Sequence, residues 1–165
     1  ATAADVPVLH LLVESAFRGD SARRGWTHEA DLLGGQRTDP AALAEVIDDP
    51  DRAILMTDDA IGCVQISRVA AGLSALGLLA VRPDVQAGGL GRRLVAAAEH
   101  YARREQDAGR IEMTVISLRG ELIAWYERLG YVRTGETRPF PMDDPRSGLP
   151  RVPLSFLVLE RTLSA

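Results

Sequence analysis

The sequence predicts an α/β fold: one domain over residues 1–165 with a mixed, mostly antiparallel central sheet flanked by helices. Three observations carry this expectation. A hairpin pattern comes first, with strands over Arg52–Thr57 and Ala60–Ala70 on either side of Asp58-Asp59. An apolar strand, Leu73–Val81, then meets Pro83, a glycine cluster and a helical period, as a crossover connection does. Helix and strand patterns alternate from there to the end of the chain.

Taken in order, Thr2 with Asp5 three residues on reads as an N-cap and its acidic partner. Val8, Leu11, Leu12, Ser15 and Ala16 follow at helical spacing until about Gly19. Residues 19–37 are polar and glycine-punctuated, which predicts a loop with one helical turn at Glu29–Leu33. Thr38 or Asp39 then caps a second helix, with Pro40 in its first turn and Leu43, Val46 and Ile47 on its buried face. After the hairpin, Leu73–Val81 is apolar on both faces and is expected at the centre of the sheet. Leu90, Leu94, Ala98 and Tyr101 mark a helix running to about Asp107, and Ile111–Ile116 alternates as a strand. Leu122, Trp125, Tyr126 and Leu129 form the apolar stripe of a short helix closed by Gly130. Tyr131–Thr137 and Pro153–Arg161 read as the last strands, separated by a proline-rich loop over residues 139–150.

The composition, 46% hydrophobic and 25% charged, is that of a soluble globular domain. A net charge of -4 argues against a nucleic-acid partner, and no apolar run approaches the roughly 18 residues of a membrane span. The expected setting is cytoplasmic, with neither nucleic acid nor membrane bound. The single cysteine, Cys63, excludes an internal disulfide and reads as a buried, inert thiol in its strand. His10, His28 and His100 lack ligand spacing, so no metal is expected. All nineteen basic residues are arginine.

The stretch Leu78–Leu94 reads as strand, glycine turn and helix. The first N–H groups of a helix lack partners within it and favour an anion, and Gly88, Gly89 and Gly91 would let a phosphate approach the backbone. A mononucleotide P-loop requires a lysine, and the chain has none. A dinucleotide fingerprint requires a third glycine where Leu94 stands. A helix entry without any ligand is the plain alternative.

What the spacing fits is Gln86-x-x-Gly89-x-Gly91 after a strand ending in Val81, which resembles the Q/R-x-x-G-x-G/A signature of the GNAT superfamily of acyl-CoA-dependent N-acyltransferases. A second segment, Trp125 to Tyr131 followed by Thr134-Gly135, looks like that family's YxxLGF element. Together the matches span about residues 52–137. The resemblance implies a GNAT-like fold with splayed central strands and acetyl-CoA (coenzyme A) as the acetyl donor. It further implies a cofactor site at Leu79, Ala80, Val81, Gln86, Ala87, Gly88, Gly89, Leu90, Gly91 and Arg92. Arg119 stands where many members carry an asparagine, and it is expected to reach a coenzyme A phosphate. The family also has a short strand before its first helix, most of which a chain numbered from Ala1 is expected to lack.

Tyr126 aligns with the tyrosine that protonates the leaving thiolate; without the resemblance it reads as a core aromatic. Glu112 and Glu29 are the candidate bases, with a solvent-facing strand residue as the plain reading of Glu112. Trp26, Glu29 and Asp31 are the candidate acceptor residues, since acids beside an aromatic suit a cationic amine; alternatively Trp26 only pins its loop. The expected acceptor is a primary amine of a small molecule, attacking directly. A protein or peptide acetyltransferase and a non-catalytic acyl-CoA sensor are the alternatives, and the family's habit of pairing implies a possible homodimer.

Overall fold

The chain opens with Thr2 and Asp5 closing on each other: the Asp5 carboxylate accepts the Thr2 backbone N–H at 2.7 Å and its hydroxyl at 3.1 Å. From there a 3-10 turn (Ala3–Asp5) leads into α1 (Val6–Phe17), which ends before Gly19. The computed structural model describes residues 1–18, 22–25, 29–144 and 148–164. Helix α2 (Pro40–Asp48) starts at Asp39, whose carboxylate accepts the Ala42 N–H at 2.8 Å, and Pro40 occupies the first turn, where no N–H is needed. The single turn expected at Glu29–Leu33 is present, closed by Leu33 N–H donating to the Glu29 carbonyl at 2.8 Å.

Six strands form the main sheet: β2 (Arg52–Met56), β3 (Gly62–Ala70), β4 (Leu73–Val81), β5 (Arg110–Ile116), β6 (Val132–Pro139) and β8 (Ser155–Thr162). Their order is β2-β3-β4-β5-β8-β6, and every neighbouring pair is antiparallel except β4 with β5. Helix α3 (Leu90–Glu105) crosses from β4 to β5, and α4 (Gly120–Arg128) follows β5. A two-stranded ribbon that the sequence reading lacks joins β1 (Leu33–Gly34) to β7 (Leu149–Pro150). The last strand starts at Ser155 rather than Pro153, because proline has no N–H to give a ladder.

Helices cover both faces. Leu94, Val95, Ala98 and Ala102 of α3 and Ile123 and Tyr126 of α4 pack with Val64, Ile66, Leu76, Ile111, Met113 and Val115. Val6, Leu9, Leu12, Val13 and Ala16 of α1 and Leu43 and Val46 of α2 pack with Ile54, Cys63, Leu78 and Ala80. Fully burying an aliphatic side chain such as Leu9 or Val13 contributes about 1.5–3 kcal/mol, so these two layers dominate the stability. Cys63 lies in the second layer with its thiol pushed up to about 12 by burial, and it gives a weak S–H contact to the Leu78 carbonyl at 3.7 Å. That environment makes it inert.

The β3–β4 pairing contains a bulge. Cys63 pairs with Ala80 and Gln65 with Gly77, so Leu78 and Leu79 together oppose Val64, and Leu78 takes a φ of 48°. The extra residue reverses which face each later side chain meets. Leu76 packs with the α3 layer, Leu78 and Ala80 with the α1 layer, and Leu79 and Val81 return to the α3 side. Strict alternation would have sent Leu76, Leu78 and Ala80 to one face.

Glu14 ties the end of α1 to the entry of α2. One of its carboxylate oxygens accepts the backbone N–H groups of Arg37 at 2.6 Å and Thr38 at 2.9 Å. Both are hydrogen bonds to a charged acceptor in a partly buried place, so Glu14→Ala is expected to lower unfolding free energy by about 2–3 kcal/mol in urea titration. Glu14→Gln, which keeps an acceptor oxygen, is expected to lose about half of that.

Candidate active site

Strands β4 and β5 are in register at only three positions, Leu73 with Arg110, Ser74 with Ile111 and Ala75 with Glu112. Beyond Ala75 they part. Strand β8 holds β5 in unbroken register from Arg110 to Ile116, whereas β3 leads β4 through the bulge. The result is a cleft of about 430 Å³ walled by Leu76–Leu79 of β4 and Met113–Ile116 of β5. The backbone groups of β4 that face this gap have no strand partner, so they are free to hydrogen-bond an extended ligand.

At the C-terminal end of β4 the chain makes a 3-10 turn (Pro83–Val85) and then the glycine loop. Ala87 has φ 67° and Gly89 has φ 85°, and Gly89 is the N-cap of α3. A side chain at Gly89 would be strained by that φ, and a Cβ there would meet nothing within 4 Å, so the space above the loop is open. Two left-handed residues, Ala87 and Gly89, leading into a helix start place unpartnered N–H groups at the loop, which suits a pyrophosphate. Gln86 fixes the loop to its strand by donating from Nε2 to the Val81 carbonyl at 3.0 Å. Gly25 closes onto the same side chain; a Cβ at Gly25 would lie 2.1 Å from Gln86 Oε1, so a larger residue there would displace the Gln86 amide.

Of the residues expected to hold the cofactor, Leu79, Val81, Gln86, Ala87, Gly89, Leu90, Gly91, Arg92 and Arg119 line the cleft. Ala80 does not, because the bulge turns it into the α1 layer, and Gly88 is exposed outside the lining. Tyr126 lines the cleft with 5% exposure, edge-on to Trp125 at 4.9 Å and to Tyr131 at 5.9 Å. Burial pushes its hydroxyl well above the ordinary phenol range, and the charge of Arg119 opposes this only in part. At neutral pH the group is an O–H donor. Both readings of Tyr126, core aromatic and cleft residue, describe the same position.

The charged residues stand differently from their sequence reading. Glu29 is buried and lines the cleft, but it is not a free acid. Its Oε2 accepts from Arg18, its Oε1 accepts from Arg119 Nη1 at 3.1 Å, and Arg37 Nε lies 4.0 Å away. Arg119 is therefore engaged with Glu29 rather than extended to a phosphate; a buried guanidinium needs that carboxylate. Asp31 is exposed, outside the cleft lining, and paired with Arg23 at 3.2 Å. Glu112 also lies outside the lining, neither solvated nor in the cleft: Arg138 reaches it from β6 with contacts of 2.9 and 3.3 Å. Trp26 lies outside the described residues. The sequence reading passed over Phe17, Arg37, Thr114 and Phe156, which also line the cleft. The arginines that flank Glu29 in its polar connection were the available signal. Among the described residues no group of three His, Cys, Asp or Glu is placed to hold a metal.

Burial pushes the Glu29 carboxyl up, but the charges of Arg37, Arg119 and Arg18 together outweigh it and hold the group below its ordinary value of 4.5. A depressed folded-state value means that the cluster's stabilisation is complete above pH 4.5 and is lost as pH falls from there through the lower folded value. Glu29→Gln removes the charge that compensates Arg18 and Arg119, and about 3 kcal/mol of stability is expected to go with it. Acid titration of unfolding followed by circular dichroism checks both: the loss below pH 4.5 should shrink in the variant.

Comparison with known proteins agrees with this geometry. The model of the acetyltransferase (GNAT) family matches residues 10–131, well over half of the chain. The fold recurs in the smu.2055 protein of Streptococcus mutans UA159, at 14% identity over 99% of this chain and 97% of that one, with a TM-score of 0.72. It recurs in a mutant of spermidine N-acetyltransferase SpeG from Vibrio cholerae, at 16% identity over 99% and 91% of the two chains, with a TM-score of 0.67. The ribosomal-protein-S18-alanine N-acetyltransferase from Escherichia coli shares it at 16% identity over 98% and 90%, with a TM-score of 0.65. A search of curated protein sequences gives no significant match. Identities this low speak for the fold alone, and the family is shown by the model match: the chain belongs to the acetyltransferase (GNAT) family and is an acetyl-CoA-dependent N-acetyltransferase.

Proposed function

We propose that this enzyme acetylates a primary amine of a small molecule by direct attack, in a single domain, with the acetyl-CoA pyrophosphate held by the amides of Ala87–Gly91 and by Arg92. The observation that carries this reading is the parting of β4 from β5, which opens one continuous cleft from the glycine loop past Tyr126 to Phe17 and Arg37. Bound acetyl-CoA supplies an activated acyl carbon. The unpaired backbone of Leu76–Leu79 offers hydrogen bonds that hold the pantetheine arm straight, so that the amine meets the thioester in reach. On attack the amine nitrogen would bond to the acetyl carbon and release one proton to water as the carbon–sulfur bond breaks. Tyr126 gives its proton to the departing sulfur and is reprotonated from water.

No described carboxylate suits the work of a base. Glu112 faces Arg138, and Glu29, the acid in the cleft, is held ionised by three arginines, which makes it a weak proton acceptor. The amine accordingly sheds its proton to water before attack. A spermidine acetyltransferase among the structural relatives supports a small acceptor, and the S18-alanine acetyltransferase keeps a protein acceptor as the second reading.

Calorimetric titration with acetyl-CoA, with desulfo-CoA and pantetheine as controls, tests the cofactor site. Saturable binding that weakens about tenfold or more in Arg92→Glu is expected, since charge reversal beside a phosphate site opposes the ligand. Absence of binding overturns the reading. Tyr126→Phe is expected to lower kcat about 100-fold while acetyl-CoA affinity stays within about twofold. With the intact enzyme, kcat/KM should rise tenfold per pH unit until the pKa of the acceptor amine is reached, about as for a free alkylamine; a limb at lower pH would mark an enzyme base.

A further inference from the structure

The acceptor end of the cleft is an arginine site. Phe17, Glu29, Arg37 and Arg119 contribute to its lining, and Arg18 backs Glu29 from within the core. Among the described residues, the charges that meet here are three guanidinium groups, from Arg18, Arg37 and Arg119, against the carboxylates of Glu29 and Glu14. Positive charge is in excess among these described residues, which reverses the acidic character read from Glu29 and Asp31 alone.

The three arginines are not equivalent. Arg18 and Arg119 are buried and spend hydrogen bonds on Glu29. Arg37 is half-buried and lines the cleft. Its guanidinium lies over the Phe17 ring, 5.1 Å from the centroid, and it stands 4.0 Å from Glu29, beyond hydrogen-bond distance. Among the described residues its side chain donates no hydrogen bond. Glu14 holds its backbone N–H at 2.6 Å, so the residue is anchored at its root while its planar fork stays unfilled. An arginine held over an aromatic ring, with no side-chain hydrogen bond donated among the described residues, keeps its fork available for a planar, two-oxygen acceptor.

We propose that the acceptor amine also carries a carboxylate, as an amino acid does, and that Arg37 receives that carboxylate. The inference rests on the acetyltransfer reading above and specifies its substrate class. Phe17 holds the guanidinium over its ring, Glu14 anchors the backbone at its root, and the excess positive charge among the described residues draws the carboxylate in while Tyr126 lines the same cleft. A polyamine, all cationic, would meet repulsion at this end.

The test compares amino acids with the amines left by their decarboxylation, as matched pairs, by thiol release from acetyl-CoA on the full chain. The carboxylate-bearing member is expected to have the higher kcat/KM by about 30-fold or more, chiefly through KM. Arg37→Gln should bring that ratio near one, and Arg37→Lys should restore part of it, since lysine keeps the charge and loses the fork. Thermal melting and acetyl-CoA titration of each variant show that it is folded and loaded. Equal or better turnover of the decarboxylated amines overturns the inference, as does an Arg37→Gln variant that weakens both members alike. Preference for the matching aminophosphonate overturns the carboxylate assignment in favour of a tetrahedral anion. Acetyl-CoA binding without turnover of any carboxylate-bearing amine also overturns it. Failure to bind acetyl-CoA strikes the acetyltransfer reading instead.

Discussion

The parting of two parallel strands is the constraint on which the rest depends. Strands β4 and β5 hold each other for three residue pairs and then follow different partners, β5 running straight along β8 and β4 deflected by the bulge opposite Val64. A left-handed leucine in a strand is costly, and it persists here because Leu78 is buried against the α1 layer while its neighbour Leu79 is turned to the cleft. Sheet hydrogen bonds given up between β4 and β5 reappear as binding capacity. The same bulge decides that Ala80 belongs to the core and Val81 to the site.

Around the opening, charge is arranged with the same economy. Glu29 is the junction of Arg18, Arg119 and Arg37, so one carboxylate links the end of α1, the start of α4 and the approach to α2. These elements are far apart in sequence, and hydrophobic layers alone leave their mutual orientation loose, because burial is not directional. The ion cluster supplies direction. Among the described residues it also leaves the cleft's far end with more arginines than carboxylates, although the chain as a whole has a net charge of -4.

Most of the fold was legible because it is written in local signals. The Asp39 cap, Pro40 in the first turn, the apolar run of β4 and the glycine punctuation before α3 each need only a few neighbouring residues, and the elements fell where those signals put them. The family resemblance carried by Gln86, Gly89 and Gly91 with the Trp125–Tyr131 segment agrees with the family match. What escaped was long-range. The β1–β7 ribbon pairs two residues with two others over a hundred positions away, too short a pattern to see. Glu112 was read from strand alternation, yet its neighbour is Arg138, two strands across the sheet in β6. Glu29 looked like an acid offered to substrate because nothing in its own segment says that Arg119 will arrive from the other side of the molecule. Local pattern fixes which face a side chain meets only where no bulge intervenes, as one does in β4, and its electrostatic partner depends on topology.

Trp125 gives the glycine loop an optical consequence. Its six-membered ring lies against Gly91, where an added Cβ would come within 3.3 Å of it, and it also lines the cleft beside Tyr126. An indole held that close to the first turn of α3 senses the local field and the water above the loop, both of which change when an anion displaces solvent there. The chain has two tryptophans, so Trp125 is one of only two indoles that emit. An anion bound at the loop would thus be sensed by a residue native to the cleft, without any attached dye.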